Sequence, residues 1–184
     1  MDIFKNPRLA GAIVASGNEL SELITDLAEL RDAHTIVEFG PGTGVFTRAA
    51  LKKMRPDAFY LALENDPAHL PKLRAAFPTV HIHEDAAASI GARLHEHGKT
   101  SCDRIISGLP WAVFNERIQR ETLDAAYRAL RPGGIFVTFA YIHSPVLPAG
   151  KRFRKLLEET FGSVQRSRIV WKNLPPAFVY ICRK

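Results

Sequence analysis

The chain has 184 residues, 46% hydrophobic and 24% charged, which suits a single domain with a full-sized core and excludes a disordered or fibrous polymer. Its longest apolar run, residues 135–142, is far shorter than the roughly 20 residues that cross a bilayer, and the N-terminus lacks the apolar stretch of a secretory signal, so a cytoplasmic location is expected. The formal charge of +6 favours anionic partners such as phospholipid headgroups, nucleic acid or phosphorylated small molecules, without choosing among them.

In chain order, residues 7–33 read as helical. Pro7 suits a first helical turn, and Ser16-Gly17-Asn18 interrupts the pattern before a second, more acidic helix. In that helix Leu20, Leu23, Ile24, Leu27 and Leu30 recur at helical spacing and define one buried face. From His34 onward strands and helices alternate. Strands are expected at 35–39, 58–63, 80–83, 104–107 and 135–142, with helices at 43–54, 67–77, 86–97, 115–130 and 152–161. Arg131-Pro132-Gly133-Gly134 reads as the turn that stops the longest helix. Two further strands, 164–171 and 177–182, have no helix between them and predict an antiparallel hairpin at one sheet edge. The expectation is a Rossmann-like α/β fold, a seven-stranded and mostly parallel sheet with helices on both faces. Residues 1–33 are expected to form a helical cap, and 34–184 the core.

Gly40, Gly42 and Gly44 follow the first strand and open a helix, where a side chain would block the approach of a ligand to the backbone. The spacing is G-x-G-x-G with Glu38 just before it, where a dinucleotide loop has G-x-G-x-x-G around a pyrophosphate. An acid at that place suits a cationic, phosphate-free cofactor, which points to the sulfonium S-adenosylmethionine. Glu64, with Asn65, closes the second strand, at a position suited to ribose hydroxyls. Asp66 before Pro67 reads as a helix cap. Asp85 and Ala86 follow the third strand, where the S-adenosylmethionine enzymes that this pattern resembles hold the adenine, and Asp85 also suits an N-cap. After the fourth strand, Ser107 leads into Gly108-Leu109-Pro110-Trp111, with Phe114 close behind; in the S-adenosylmethionine enzymes that this pattern resembles, the acceptor reaches the methyl group at this place. The aromatics there suit either a substrate wall or core packing. Cys102 and Cys182 read as buried free thiols, and His81 and His83 only weakly as metal ligands, so no metal is expected.

Four segments carry a resemblance: Phe4-Lys5-Asn6-Pro7-Arg8, Val37 to Gly44, Ser107 to Trp111, and Trp171-Lys172-Asn173-Leu174-Pro175-Pro176-Ala177. Together they resemble the bacterial phospholipid N-methyltransferases over nearly the whole chain. The glycine motif is generic to the superfamily, while the Ser-Gly-Leu-Pro loop and the Asn-Leu-Pro-Pro-Ala segment are more particular. The resemblance implies S-adenosylmethionine as donor, the amine of phosphatidylethanolamine as acceptor, methylation toward phosphatidylcholine, and peripheral docking on anionic membrane through the N-terminal helix. That helix carries only Lys5 and Arg8 as cations, so the basic stretch 151–155 would share the docking. Tyr141 and His143, beyond the fifth strand, are candidates for aligning or deprotonating the amine. An rRNA adenine dimethyltransferase is the first alternative, although Ser107-Gly108 stands where that family has an Asn. A non-catalytic membrane-surface or nucleotide-sensing module is the second.

Overall fold

The computed structural model describes residues 18–184. The expected contacts of Lys5, Pro7 and Arg8, and most of the proposed N-terminal cap, lie outside the described residues. Helix α1 covers 18–27 and is followed by a short 3-10 turn, Leu30–Asp32. Then come β1 (Thr35–Phe39), α2 (Val45–Lys53), β2 (Phe59–Glu64), α3 (Leu70–Ala76), β3 (His81–Glu84), α4 (Ile90–Glu96) and β4 (Cys102–Ser107). The second half holds α5 (Glu116–Ala129), β5 (Leu130–Tyr141), α6 (Pro148–Thr160), β6 (Ser163–Arg166) and β7 (Ala177–Arg183).

The seven strands lie in the order β3-β2-β1-β4-β5-β7-β6. All pairings are parallel except those of β7, which runs antiparallel to both β5 and β6. The hairpin expectation therefore holds, with β7 inserted between its partner and β5. Alternation along the strands divides the core into two layers. Ile36, Tyr60, Ile106, Val137 and Val179 face one side, with Leu20 and Ile24 of α1 and Leu73 of α3. Val37, Leu61, Ile105, Phe136 and Tyr180 face the other, with Leu94 of α4, Leu123 of α5 and Phe153 of α6. Helix α5 has a side-chain N-cap, Asn115, whose Oδ1 accepts from the Ile118 N–H at 2.9 Å.

Several boundaries differ from the sequence reading. The segment 131–134 is a bulge inside β5, not a turn ahead of it: Leu130 already pairs with Cys102, and the register shifts before Arg104 meets Ile135. Gly133 takes φ +74° there, and its N–H donates to the Lys184 carbonyl. The expected strand 164–171 pairs only through Arg166, after which Val170 makes one isolated bridge to Ala177. Helix α3 starts at Leu70, because Asp66 Oδ1 accepts from the Ala68 N–H and holds a turn first. Helix α6 starts four residues earlier than expected, with Pro148 in its first turn.

The amino-terminal edge of the sheet is locked by one carboxylate. Asp103 Oδ2 accepts from the His34 and Thr35 N–H groups, each at 2.8 Å, and Oδ1 accepts from Arg131 Nε in the bulge. Neighbouring Arg104 is buried, and its Nε donates to the Ala28 carbonyl at 2.7 Å. The strand order reverses between β1 and β4, so the opposite, carboxyl-terminal edge opens a crevice between them, the place where open α/β sheets take ligands.

Candidate active site

The β1–α2 loop is shaped by positive φ values at Gly40 (+64°), Gly42 (+55°) and Gly44 (+78°). The space that a Cβ on Gly42 would enter is open, whereas one on Gly44 would lie 2.3 Å from the Phe77 ring. The glycines thus do different work: Gly44 lets α2 pack on α3, and Gly42 presents bare backbone to the crevice. Gly108 makes a second close approach. A Cβ there would stand 2.7 Å from the Gly40 carbonyl oxygen, so the loops after β1 and β4 touch through backbone.

Glu64 holds the first loop in shape. Its Oε2 accepts from the Gly42 N–H at 2.8 Å and its Oε1 from the Asp66 N–H at 2.9 Å. Each oxygen keeps a lone pair, so the carboxylate can still receive two hydroxyl protons. Asn65 beside it is exposed. Glu38 is wholly buried under the loop. Its Oε2 accepts from Thr47 Oγ1 at 2.6 Å and Tyr60 Oη at 2.8 Å, while its Oε1 has no partner. Burial pushes its carboxyl from an ordinary 4.5 to about 7, against the lowering by the Thr47 and Tyr60 bonds. The acid thus lacks a counter-charge, a deficit that a cationic ligand over the loop would meet. These features fit S-adenosylmethionine: an open glycine cradle, a carboxylate with free lone pairs and a buried carboxyl oxygen without a partner.

The third acid is differently committed. Asp85 Oδ2 pairs with Arg93 at 2.7 Å, and Oδ1 accepts from Ser89 Oγ and from the Ala86 N–H. An adenine amine would share those oxygens, and the Ala86 N–H that should reach the ring is already donated to Asp85. Arg93 and its hydrogen bonds hold this carboxyl below the usual range, although partial burial opposes them. Ser107 is buried, and its Oγ accepts from Trp111 Nε1 at 3.2 Å, so it positions that indole at the end of β4.

Beside the crevice lies an apolar cavity of about 170 Å³, walled by Leu109, Trp111, Phe139, Tyr141, Phe153 and Tyr180. Among the described residues no charged side chain lines it. Trp111 serves both as core and as wall. It stacks on Phe153 with ring centroids 4.7 Å apart, and its Nε1 donates to Thr138 Oγ1 at 2.9 Å. Pro110 lines the mouth, while Gly108 shapes the loop behind it and Phe114 supports Trp111 edge-on from outside the lining. Tyr141 faces the cavity, and its hydroxyl has no hydrogen-bond partner among the described residues. His143 is exposed, outside the cavity lining, and stacked on Tyr141 at 5.7 Å.

Sequence reading missed Thr47, Tyr60, Phe139, Phe153 and Tyr180. Phe153 was concealed within the basic run 151–155, although Phe153, Leu156 and Leu157 keep helical spacing and mark a buried face. Cys102 and Cys182 are free and buried, as expected, and burial raises both thiols. His83 Nε2 lies 2.9 Å from His97 Nε2, but among the described residues no three His, Cys, Asp or Glu side chains are placed to hold a metal ion.

Comparison with known proteins agrees with this geometry. Over 184 residues the chain is 28% identical to the ornithine lipid N-methyltransferase of Singulisphaera acidiphila, covering 98% of this chain and 91% of that protein. Its fold is similar to N-methyltransferase NodS from Bradyrhizobium japonicum (TM-score 0.73, 13% identity, 92% of this chain and 97% of that one). It is similar also to an O-methyltransferase from Bacillus cereus in complex with SAH (TM-score 0.72, 13% identity, 98% and 92%). TomG from Streptomyces achromogenes, in complex with SAM, has a TM-score of 0.69 at 17% identity (100% and 92%). Residues 36–134, more than half of the chain, match the family model described as a methyltransferase domain. The chain therefore belongs to the methyltransferase domain family, and its cofactor is S-adenosylmethionine.

Proposed function

We propose that the chain methylates the amine of a membrane lipid, phosphatidylethanolamine and its methylated intermediates, toward phosphatidylcholine, working peripherally at the inner face of the cell membrane. The observation that carries this reading is the aromatic, uncharged cavity beside the glycine loop. Such a lining disfavours an ammonium and so lowers the pKa of an entering amine, which frees the lone pair that attacks. As methyl groups accumulate, the product becomes a permanent cation. The faces of Trp111, Tyr141 and Phe153 then hold it by cation–π attraction, worth about 0.5–2 kcal/mol. The 28% identity to a lipid N-methyltransferase over almost the whole chain supports an amine-bearing lipid as acceptor.

When bound, the cofactor supplies a methyl group already activated by its sulfonium. The residues of this chain do the rest. Glu64 receives the ribose hydroxyls on its free lone pairs while keeping Gly42 in place. Glu38 gives the cofactor's ammonium a buried counter-charge, Asn65 borders the ribose, and Asp85 and Ala86 border the adenine. Tyr141 directs its unpartnered hydroxyl at the amine and aligns it, and His143 at the rim accepts the released proton. Trp111, fixed by Ser107, Thr138 and Phe153, excludes water from the line of attack.

The test is transfer of radiolabelled methyl groups to vesicles of phosphatidylethanolamine, to vesicles of ornithine lipid, and to ribosomal RNA. Label in phosphatidylethanolamine at the highest rate is expected. Label confined to ornithine lipid would move the acceptor assignment to that lipid, and label confined to RNA would overturn the lipid reading.

A further inference from the structure

Large hydrophobic side chains exposed among the described residues are Val113, Ile118, Ile142, Val146, Leu147, Trp171 and Leu174. All but Ile118 fall in three connections at the carboxyl-terminal edge of the sheet: β4–α5, β5–α6 and β6–β7. Ile118 sits in the first turn of α5, directly after one of them. Val113 is 77% exposed, Val146 71% and Trp171 66%. The third connection reaches this edge because β7 runs antiparallel to β5: Ala177 pairs with Tyr141, and the Ile142 N–H donates to the Pro176 carbonyl at 3.0 Å. Two of the connections line the apolar cavity, through Val113 and Ser144, and the third ends beside its Tyr141 wall, with which Ala177 pairs.

The charge pattern is as one-sided as the apolar one. Segments 107–115, 142–152 and 166–176 contain no Asp or Glu, in a chain with 19 of them. They carry Lys151, Arg152, Arg166, Arg168 and Lys172. Arg168 meets Glu19, and the other four pair with no carboxylate among the described residues. Apolar tips between unpaired cations complement an anionic bilayer, whose headgroups attract the cations and whose acyl boundary receives the tips. A protein partner of ordinary composition offers no such combination over three separate loops.

We propose that these three connections form a membrane-penetrating rim around the acceptor cavity, with an anionic phospholipid bilayer as its occupant. The inference rests on the lipid reading for its purpose, but the docking is physically separate from turnover. With the rim in the interface, the cavity mouth opens at headgroup level, and a lipid reaches it by lateral movement without leaving the bilayer. This surface is distinct from the N-terminal segment that the family resemblance implicates.

The two tryptophans supply the readout, because Trp111 is buried and Trp171 is exposed. With full-length protein and vesicles of phosphatidylcholine and phosphatidylglycerol, free of any acceptor amine, emission should shift to shorter wavelength. Lipids brominated near the headgroup should quench it, and Trp171→Phe should abolish both effects. The double variant Val146→Asp, Leu174→Asp should bind these vesicles at least tenfold more weakly while its affinity for S-adenosylhomocysteine stays unchanged. Neutral phosphatidylcholine vesicles should bind less than anionic ones. Three results would overturn the proposal: no shift on anionic vesicles, wild-type vesicle affinity in the double variant, or a short-wavelength contribution of Trp171 without lipid, read as the difference between wild type and Trp171→Phe, which would mean that the chain itself or a second copy covers the rim. Because the vesicles hold no acceptor, a failure of the lipid-methylation reading would appear only in the radiolabel assay.

Discussion

Glu38 makes a quantitative prediction. Its carboxyl is raised from 4.5 to about 7 by burial, so between those values the folded chain binds more protons at this site than the unfolded chain does. Stability contributed by the site therefore falls as pH rises from about 4.5 and levels off above about 7. The full change is about 3 kcal/mol, from roughly 1.4 kcal/mol per pKa unit. His81 and His83 act in the opposite sense, because desolvation lowers both, and neutral histidines favour the fold as pH rises toward 6.5. The raw pH profile mixes these effects, and the difference from Glu38→Gln isolates the first. The Gln carbonyl can still accept from Thr47 and Tyr60, but the side chain never ionises. In urea titrations without ligand, the variant should gain on wild type by up to about 3 kcal/mol between pH 5 and pH 8. Cofactor binding supplies the second arm. If the ionised form is the one that faces the cofactor's ammonium, wild-type affinity for S-adenosylhomocysteine should be about tenfold weaker at pH 6 than at pH 8, following the ionised fraction of a group titrating near 7. Calorimetry in buffers of different ionisation enthalpy should record proton release on binding near pH 7. Parallel stability profiles for wild type and variant, or equal pH dependence of their ligand affinities, would refute the argument.

Three further outcomes follow from the site. Glu64→Ala should weaken cofactor binding by about 1.5–3 kcal/mol, the range for bonds to a charged group, with the fold retained; unchanged affinity by calorimetry in a folded variant removes Glu64 from the ribose site. Tyr141→Phe should lower kcat on phosphatidylethanolamine vesicles with cofactor affinity near normal, and wild-type turnover would mean that the hydroxyl has no part in alignment. Gly108→Ala should weaken both cofactor binding and turnover, because its methyl group would lie 2.7 Å from the Gly40 carbonyl and force the two loops apart. A crystal structure of that variant with unmoved loops would contradict this.

The order of elements was readable because each carries its own local signal. The glycines after β1, the acids ending β2 and β3, and Asn115 before α5 all stand where a strand or helix begins or ends, and each is marked by its residue type and position. What remained hidden depends on partners far along the chain. Glu38 was legible as an acid beside the loop, but its burial depends on Thr47 from α2 and Tyr60 from β2, and no local pattern sets that meeting. Asp85 was legible as an acid at the correct strand end, yet Arg93, a full helical turn beyond Ser89, takes one of its oxygens. Arg131-Pro132-Gly133-Gly134 has the composition of a turn, and only the pairing of Leu130 with Cys102 turns it into a bulge. The segment after Arg166 alternates like a strand, but Trp171 lies on an exposed turn where the periodicity suggested a continuing ladder. Aromatic walls such as Phe153 and Tyr180 come from different helices and strands, and register alone brings them together.

The reversed strand β7 also sets a timetable. Because the chain passes the ligand edge once more through residues 167–176 before β7 pairs with β5, that edge is completed only after β7 has been made. The glycine loop and the acids at the ends of β2 and β3 belong to the first half of the chain and emerge from the ribosome long before. The glycine loop and its neighbouring carboxylates are thus made early in synthesis, and the strand that walls the apolar cavity with Tyr180 is made later. A chain truncated before Ala177 would keep the glycine loop but lose the Tyr180 wall and the strand that brings Trp171 to the rim.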